Sequence, residues 1–419
     1  MISIMQNMLD GSDKGRLKVS IVDEENRPIR DARIVITVTG QPENVIEEVV
    51  TNSDGQSEDI ELATPPIEYS LEADNIIQPY AEYSIDIQAE GYEPVDVSGI
   101  QVLSGTEALQ DVKLQRVLPN RTGSNIAILP HTLYYEYPPK IPEPEITPVS
   151  ESGEIVLSRV VVPEYVVVHD GVPSDNTANN YYIQYRDYIK NVASSEIYPT
   201  WETETIRANI LAIMSFTLNR VYTEFYRNKG YDFTITSSTA YDHKFIYGRN
   251  IFDSISVIVD ELFSMYLSRP NVKQPILTQY CDGRRVTCPN WMSQWGSQNL
   301  GTQGYSAIEI LRNYYGDSIY INEAEQISGV PSSWPGYNLE IGSRGSKVRQ
   351  VQEQLATIAE VYSSIPYISA DGVYGERTQE AVRRFQQIFD LPQTGIIDFA
   401  TWYKISQIYV GVTRIAELN

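Results

Sequence analysis

The stretch Tyr188–Ile213, YIKNVASSEIYPTWETETIRANILAI, reads as a short helix, a break marked by Pro199 that carries one acid, Glu196, and then a long apolar helix. In the second helix Ala208, Leu211, Ser215, Leu218, Tyr222 and Phe225 share one face, with Ile206, Ile210, Ile213, Thr217 and Val221 beside it. So wide a stripe predicts a buried helix. Thr200 is a candidate N-cap, and Glu202 and Glu204 in the first turn suit the helix dipole. An arbitrary acid at such a break is a solvated helix-end glutamate. What surrounds the stretch decides whether Glu196 is more.

Upstream, EIVLSRVVVPEYVVVHDG (154–171) holds two β-branched runs split by Pro163 and predicts strands. Before it, Pro138, Pro139, Pro142, Pro144 and Pro148 alternate with Glu136, Glu143 and Glu145, a composition that forms neither helix nor sheet interior. This is a solvated linker or a strap lying along a neighbour, and Tyr134, Tyr135 and Tyr137 suit the strap. From Arg16 to Gln115 the period is two, with Leu17, Val19 and Ile21, then Ile34, Ile36 and Val38, then Tyr83, Ile85 and Ile87 alternating with polar residues. Turns at Asn26-Arg-Pro28, Asp54-Gly55 and Gly91 complete the pattern of a small antiparallel sandwich.

Downstream, residues 251–267 and 306–315 read as helices, 280–304 as loop-rich and 328–338 as a linker. Stripes at Val348, Val351, Leu355 and Ile358, at Val382, Phe385 and Phe389, and at Trp402, Ile405 and Tyr409 predict a three-helix bundle. The expected fold is multidomain: an N-terminal all-β sandwich, a central α+β domain and a C-terminal three-helix bundle.

Composition excludes several functions. Fifty-five acidic residues against 32 basic ones give a formal charge of −23, which repels a phosphate backbone and rules out nucleic acid as a partner. The N-terminus, MISIMQNMLDGSDKG, lacks a basic start and an apolar core of secretory length, so no classical signal peptide is read. No apolar run approaches the roughly 18 residues needed to span a bilayer, and a soluble chain is expected. Two cysteines, Cys281 and Cys288, are too few for a disulfide scaffold. The 30 tyrosines could stack on sugars, although most are expected in cores with a satisfied hydroxyl.

Two sets of motifs carry resemblances. GSRGSKVRQVQEQL (342–355), DGVYGERTQEAVRRFQQIFDLPQTGIID (371–398) and Thr401-Trp402 resemble the peptidoglycan-binding domain of cell-wall hydrolases. The Tyr188–Ile213 stretch, together with WMSQWGSQNLGTQGYSAIEILRNYYGDSIYI (291–321), resembles the stage II sporulation protein D family of lytic transglycosylases. That resemblance implies Glu196 as catalytic acid and Arg207, Tyr198, Ser293, Gln294 and Trp295 as substrate-binding residues. A family arginine is here Met214. Some members bind zinc through a His and two Cys, but the residues before Cys281 supply no His. Metal is therefore not expected, Cys281 and Cys288 being weak candidates only, ranked below free thiols or a disulfide, and no cofactor is implied.

The chemistry of such an enzyme suits a lone acid. One carboxyl protonates the glycosidic oxygen and, as carboxylate, takes the proton of the muramyl C6 hydroxyl, closing a 1,6-anhydro ring without water. A hydrolase needs a second carboxylate. Burial beside Val192 and Ile197 would raise the Glu196 pKa toward its working pH.

The order of modules resembles spore cortex-lytic enzymes, precursors activated at germination by subtilisin-like proteases. It implies residues 1–15 as a tail, 16–115 as a sandwich prosegment domain, 116–159 as a linker or activation segment, 160–327 as the catalytic domain, 328–338 as a linker and 339–412 as the peptidoglycan-binding domain. Cleavage is expected near Arg159-Val160, and location in the cortex or coat region of a spore, with cortex peptidoglycan as substrate. The alternatives are a non-catalytic peptidoglycan-binding coat or wall protein, or a muramidase-type hydrolase with Glu204 or Asp242 as second acid.

Overall fold

The computed structural model describes residues 13–118, 123–146, 157–324, 326–328 and 334–413. Most of the expected N-terminal tail, part of the Pro-rich segment (147–156) and the middle of the second linker (329–333) lie outside the described residues.

The period-two region forms a sandwich of strands β1 (Asp13–Val22), β2 (Arg33–Val38), β3 (Gln41–Val50), β4 (Ile60–Thr64), β5 (Ala81–Gln88), β6 (Val95–Val102), β7 (Glu107–Lys113) and β8 (Ser124–Ala127), with a short helix α1 (Glu68–Leu71) after β4. One sheet has the order β4-β1-β7 and the other β3-β2-β5-β6-β8. Leu17, Val19 and Ile21 of the first face Ile34, Ile36, Ile85 and Ile87 of the second, all fully buried, as alternation demands. The sandwich is not purely antiparallel, however. β1 pairs β7 in parallel, and so does β6 with β8. Parallel pairs need long crossovers rather than hairpins, and a local reading of turns does not register them.

The central region contains β9 (Val161–Val162), β10 (Tyr165–His169), β11 (Asn180–Gln184), α2 (Tyr185–Glu196), α3 (Thr203–Tyr222), β12 (Ile235–Thr236), β13 (Ile251–Phe252), α4 (Asp253–Leu262), β14 (Met265–Ser268), β15 (Tyr280–Cys281), β16 (Met292–Ser293), α5 (Gln294–Thr302), α6 (Ala307–Tyr315), β17 (Tyr320–Glu323) and β18 (Gln326–Ile327). The expected helix over 251–267 is thus shorter. Its ends are strands, β13 pairing with β7 of the sandwich and β14 with β17. A short apolar run cannot be assigned to strand or helix by periodicity alone.

Helix α3 is buried on nearly every side, in keeping with its wide stripe. Its N-cap is Glu202, without a side-chain cap, so Thr200 does not cap it and Glu202 precedes its first turn. The Thr200 hydroxyl instead meets that of Ser70, in α1 of the sandwich, at 2.8 Å. Sandwich and central region share one continuous apolar core, from Leu17 to Ile319.

The Pro-rich segment up to Ile146 is a strap. Leu133, Tyr137 and Lys140 are buried. Glu143 and Glu145 form forked ion pairs with Arg220 (2.6 and 2.9 Å) and Arg269 (2.7 and 2.8 Å). The Ile141 amide donates to the Ala240 carbonyl and the Leu277 amide to that of Glu145, each at 2.8 Å. Prolines remove donors that a solvent-facing edge would not need, and the remaining polar groups bond to the enclosed face.

The C-terminal helices α7 (Ser346–Val361), α8 (Glu376–Ile388) and α9 (Phe399–Thr413) enclose a separate core around Trp402, Phe385 and Leu355. This bundle rests on the sandwich through Lys18–Asp390 (2.7 Å) and Arg384–Asp54 (2.9 Å). It meets the central region where Tyr403 and Phe399 pack on Phe263 and the Arg186 guanidinium lies over Tyr403.

Candidate active site

Glu196 is the last residue of α2, and its side chain is wholly buried. The Lys244 amide donates to Oε1 at 2.6 Å and the Tyr280 hydroxyl donates to Oε2. The Gln294 side chain donates to the Glu196 backbone carbonyl at 3.1 Å, closing the end of the helix. Burial raises the Glu196 pKa, and this outweighs the opposing pull of the Lys140 charge and of the Tyr280 and Lys244 hydrogen bonds. Proton donation at higher pH than an ordinary glutamate follows from the same burial.

The strap supplies one wall of this site. Lys140 bonds to the Asp242 carbonyl and lies over the Tyr280 ring, 4.6 Å from its centroid. Burial lowers its pKa against the raising influence of Glu196 and Asp242. Tyr137, also buried, adds an apolar ring whose hydroxyl is without a partner among the described residues. Where the strap begins, His131 stacks on Tyr198 at 4.5 Å, its Nε2 bonding the Ile197 carbonyl at 3.3 Å and its Nδ1 accepting from the Leu133 amide at 3.2 Å. That pattern needs the neutral ring, and burial lowers the His131 pKa accordingly. The Thr132 amide donates to the Ser195 carbonyl (3.2 Å). The strap therefore grips the turn of chain that carries Glu196. The sandwich reinforces it, because the Tyr80 hydroxyl accepts from the His131 amide (3.0 Å) and the Ser70 carbonyl from the Trp201 indole (3.0 Å).

His243 completes the surround. Its ring stacks on Tyr280 (5.8 Å between centroids), Nδ1 meets the Tyr188 hydroxyl at 3.1 Å, and Nε2 has no partner among the described residues. Burial holds it neutral. Lys140, His131, Tyr137, His243 and Tyr280 carry no spacing signal that joins them to Glu196. They come from segments 47 or more residues away.

The residues expected to bind substrate divide. Gln294 reaches Glu196, as above. Ser293 caps α5, its hydroxyl accepting from the Gly296 amide at 2.9 Å. Tyr198 and Trp295 are buried with Trp201 in an aromatic cluster, with 5.0 Å between the two indoles, and underpin the turn rather than face a ligand. Arg207 is not in the site. On α3 it faces outward to ion pairs with Glu261 and, at 3.7 Å, Glu204. Met214 is fully buried. Arg159 is exposed while Val160 is buried just before β9, so the expected cleavage bond is only half presented.

The second acids considered are committed elsewhere. Glu204 accepts from the Ala307 amide (2.7 Å) at the start of α6. Asp242 is saturated by Arg220 Nε (2.8 Å), the Tyr226 hydroxyl (2.6 Å) and the Thr236 amide and hydroxyl (2.9 and 2.7 Å). Cys281 and Cys288 are joined as a disulfide, which removes both as metal ligands and leaves no thiol free. Among the described residues no group of three or more His, Cys, Asp or Glu is arranged to hold a metal, and no helix is long and apolar enough to cross a membrane.

No curated protein matches this chain. Solved structures similar to parts of it include the SleB N-terminal domain, at 27% identity over 17% of this chain and 93% of that one with a TM-score of 0.16. Others are the minor pilin GBS52 of Streptococcus agalactiae (11% identity, 27% of this chain and 49% of that one, TM-score 0.18) and the Bacillus anthracis TIE protein (20%, 25% and 17%, 0.17). These overlaps are too partial to bear on chemistry. The family described as "Putative peptidoglycan binding domain" matches residues 344–405, within the helical bundle, which supports peptidoglycan as a partner.

Proposed function

We propose that the chain is the precursor of a lytic transglycosylase that cleaves the bond between N-acetylmuramic acid and N-acetylglucosamine in peptidoglycan. Glu196 is its proton donor and then its base. The observation that carries this is the wholly buried Glu196 carboxyl, raised in pKa by burial and held by the Tyr280 hydroxyl and the Lys244 amide, while the two alternative acids, Glu204 and Asp242, are bonded to structural partners. Protonated, Glu196 delivers its proton to the glycosidic oxygen. The carboxylate that results keeps two donors to stabilise it and accepts the C6 hydroxyl proton as the anhydro ring closes. The bundle supplies attachment to the wall.

The strap and sandwich act as a prosegment. Lys140 and Tyr137 occupy the space over Glu196 that a glycan would need, and proteolysis on the N-terminal side of the catalytic region, near Arg159-Val160, relieves this. The module order and this covering favour a spore cortex-lytic enzyme of the SleC type, activated by a subtilisin-like protease at germination. A wall-binding protein without catalysis is favoured by one observation, Met214 in place of the family arginine.

The deciding experiment incubates spore peptidoglycan with protease-treated wild type and Glu196→Gln and measures muropeptides by mass spectrometry. Anhydromuramyl ends are expected from wild type and fall at least a hundredfold with Glu196→Gln, the lower range for loss of a general acid. Reducing muramic acid ends would indicate a hydrolase, and no products at all would leave the wall-binding reading.

A further inference from the structure

The Cys281–Cys288 disulfide joins residues seven apart in sequence and closes the loop that leaves the end of β15. We propose that it is a redox site, open to thiol–disulfide exchange with a dithiol reductant at Cys288, and that its state sets how firmly the strap is held. The proposal depends on the strap contacts and not on the glycan-cleaving chemistry of Glu196.

The first argument is what the loop grips. Arg285 donates to three successive strap carbonyls, those of Thr132 (3.4 Å), Leu133 (2.9 Å) and Tyr134 (2.6 Å). Arg284 donates to the Asn75 carbonyl of the sandwich at 3.0 Å. A guanidinium presents its donors in a rigid planar fork, so it meets several carbonyls together only where its own backbone is fixed.

The second argument is what fixes that backbone. In the first half of the loop the buried Asp282 carboxylate accepts from the amides of Arg284 (3.2 Å), Arg285 (2.9 Å) and Val286 (3.0 Å). Gly283, at φ 75°, lies so close to Ser293 that a Cβ would collide with that side chain. In the second half no hydrogen bond engages Thr287 or Cys288 among the described residues, and the disulfide alone closes the loop. Opening it frees conformations that the bond had excluded, and the arginine fork loses its aim.

The third argument is access. Cys281 is fully buried, but Cys288 is half-buried and lines an open cleft of about 420 Å³ between the loop and α6. Two guanidinium groups in the same loop favour a thiolate nearby. The reductant's thiolate attacks Cys288 Sγ; a mixed disulfide forms, and the protein S–S bond breaks with its electron pair leaving on Cys281, which takes up a proton. The reductant's second thiol loses its proton and attacks its own sulfur of the mixed disulfide, releasing Cys288, which is protonated in turn. Two electrons and two protons pass to the protein, and the dithiol ends as a cyclic disulfide. β15 stays paired with β16 and Tyr280 stays on Glu196, so the change is confined to the loop and what it grips.

The test treats the full chain with dithiothreitol in native buffer, counts free thiols by alkylation and mass spectrometry, and follows hydrogen exchange in residues 132–135 and 386–395. The Thr132 amide, bonded to the Ser195 carbonyl, and the Tyr134 and Tyr135 amides, both bonded to that of His131, report on the strap. Both cysteines are expected to alkylate without denaturant. Exchange in the strap should then rise at least about tenfold, the loss of one hydrogen bond from a charged donor, while the bundle segment is unchanged. Arg285→Ala with the disulfide intact should loosen the strap to the same extent. A disulfide that resists dithiothreitol until the chain is denatured, or strap exchange that is unchanged on reduction, overturns the proposal. Faster exchange in the bundle as well would show a general loss of fold and overturns it equally. None of these results bears on Glu196, which the muropeptide assay tests separately.

Discussion

Glu196 burdens the fold in a way that can be measured. Its pKa is raised from the ordinary 4.5 by burial, so below that value folded and unfolded chains both hold the proton. Above it the unfolded chain ionises first, and stability falls as pH rises until folded Glu196 ionises too. Glu196→Gln removes this loss. Thermal melts from pH 4 to pH 8 should show the variant level with wild type at the acid end and progressively more stable above; a constant difference across the range would contradict the burial account. At this scale the burial of Glu196 was legible, because Val192 and Ile197, which flank it, are local in sequence and buried with it. Arg207 was not: being on the same segment as Glu196 says nothing about the turn of helix between them, and α3 points it to Glu261. Lys140 and His131 were illegible too, since only the path of the strap brings them near.

Among the elements, the bundle repeats one device. Gln352 of α7 donates to Asp371 (3.0 Å), Val373 (3.0 Å) and Thr378 (3.1 Å), and accepts from the Gly372 amide (2.8 Å). Gln386 of α8 does the same for Thr394 (3.2 Å), Ile396 (2.9 Å) and Thr401 (3.1 Å), and accepts from Gly395 (2.8 Å). Each glutamine pins a glycine turn to the helix that follows. Gln386→Ala should lower stability by about 1–3 kcal/mol, the range for orphaned buried donors and acceptors, and speed hydrogen exchange at Gly395 but not at Gly372. Equal protection in both turns would refute independent devices. The helices of this bundle were legible because period and turn signals agree over its whole length. The strap was half legible: its prolines excluded regular structure, but its ion pairs with Arg220 and Arg269 depend on the tertiary path.

For the whole molecule, the N-terminal sandwich was legible as a unit and its attachment was not. Alternation reveals two faces, yet nothing local announces that β13, from the central region, completes a sheet of the sandwich. Nor does it announce that Gln101 exchanges hydrogen bonds with Asn250 and Arg249, or that Asp54 anchors the bundle. This joint sheet separates two events that a precursor scheme treats as one. Cutting near Arg159 breaks the chain but none of these contacts, so the severed halves behave as complementing fragments with their own dissociation constant. A cut sample should elute from a sizing column as a single species under native conditions and resolve into two only in denaturant; prompt separation in buffer would show the contacts to be weak. Under the proposed precursor scheme, onset of activity then follows the residence time of the N-terminal fragment, appearing as a lag after the cut that shortens on dilution into dissociating conditions.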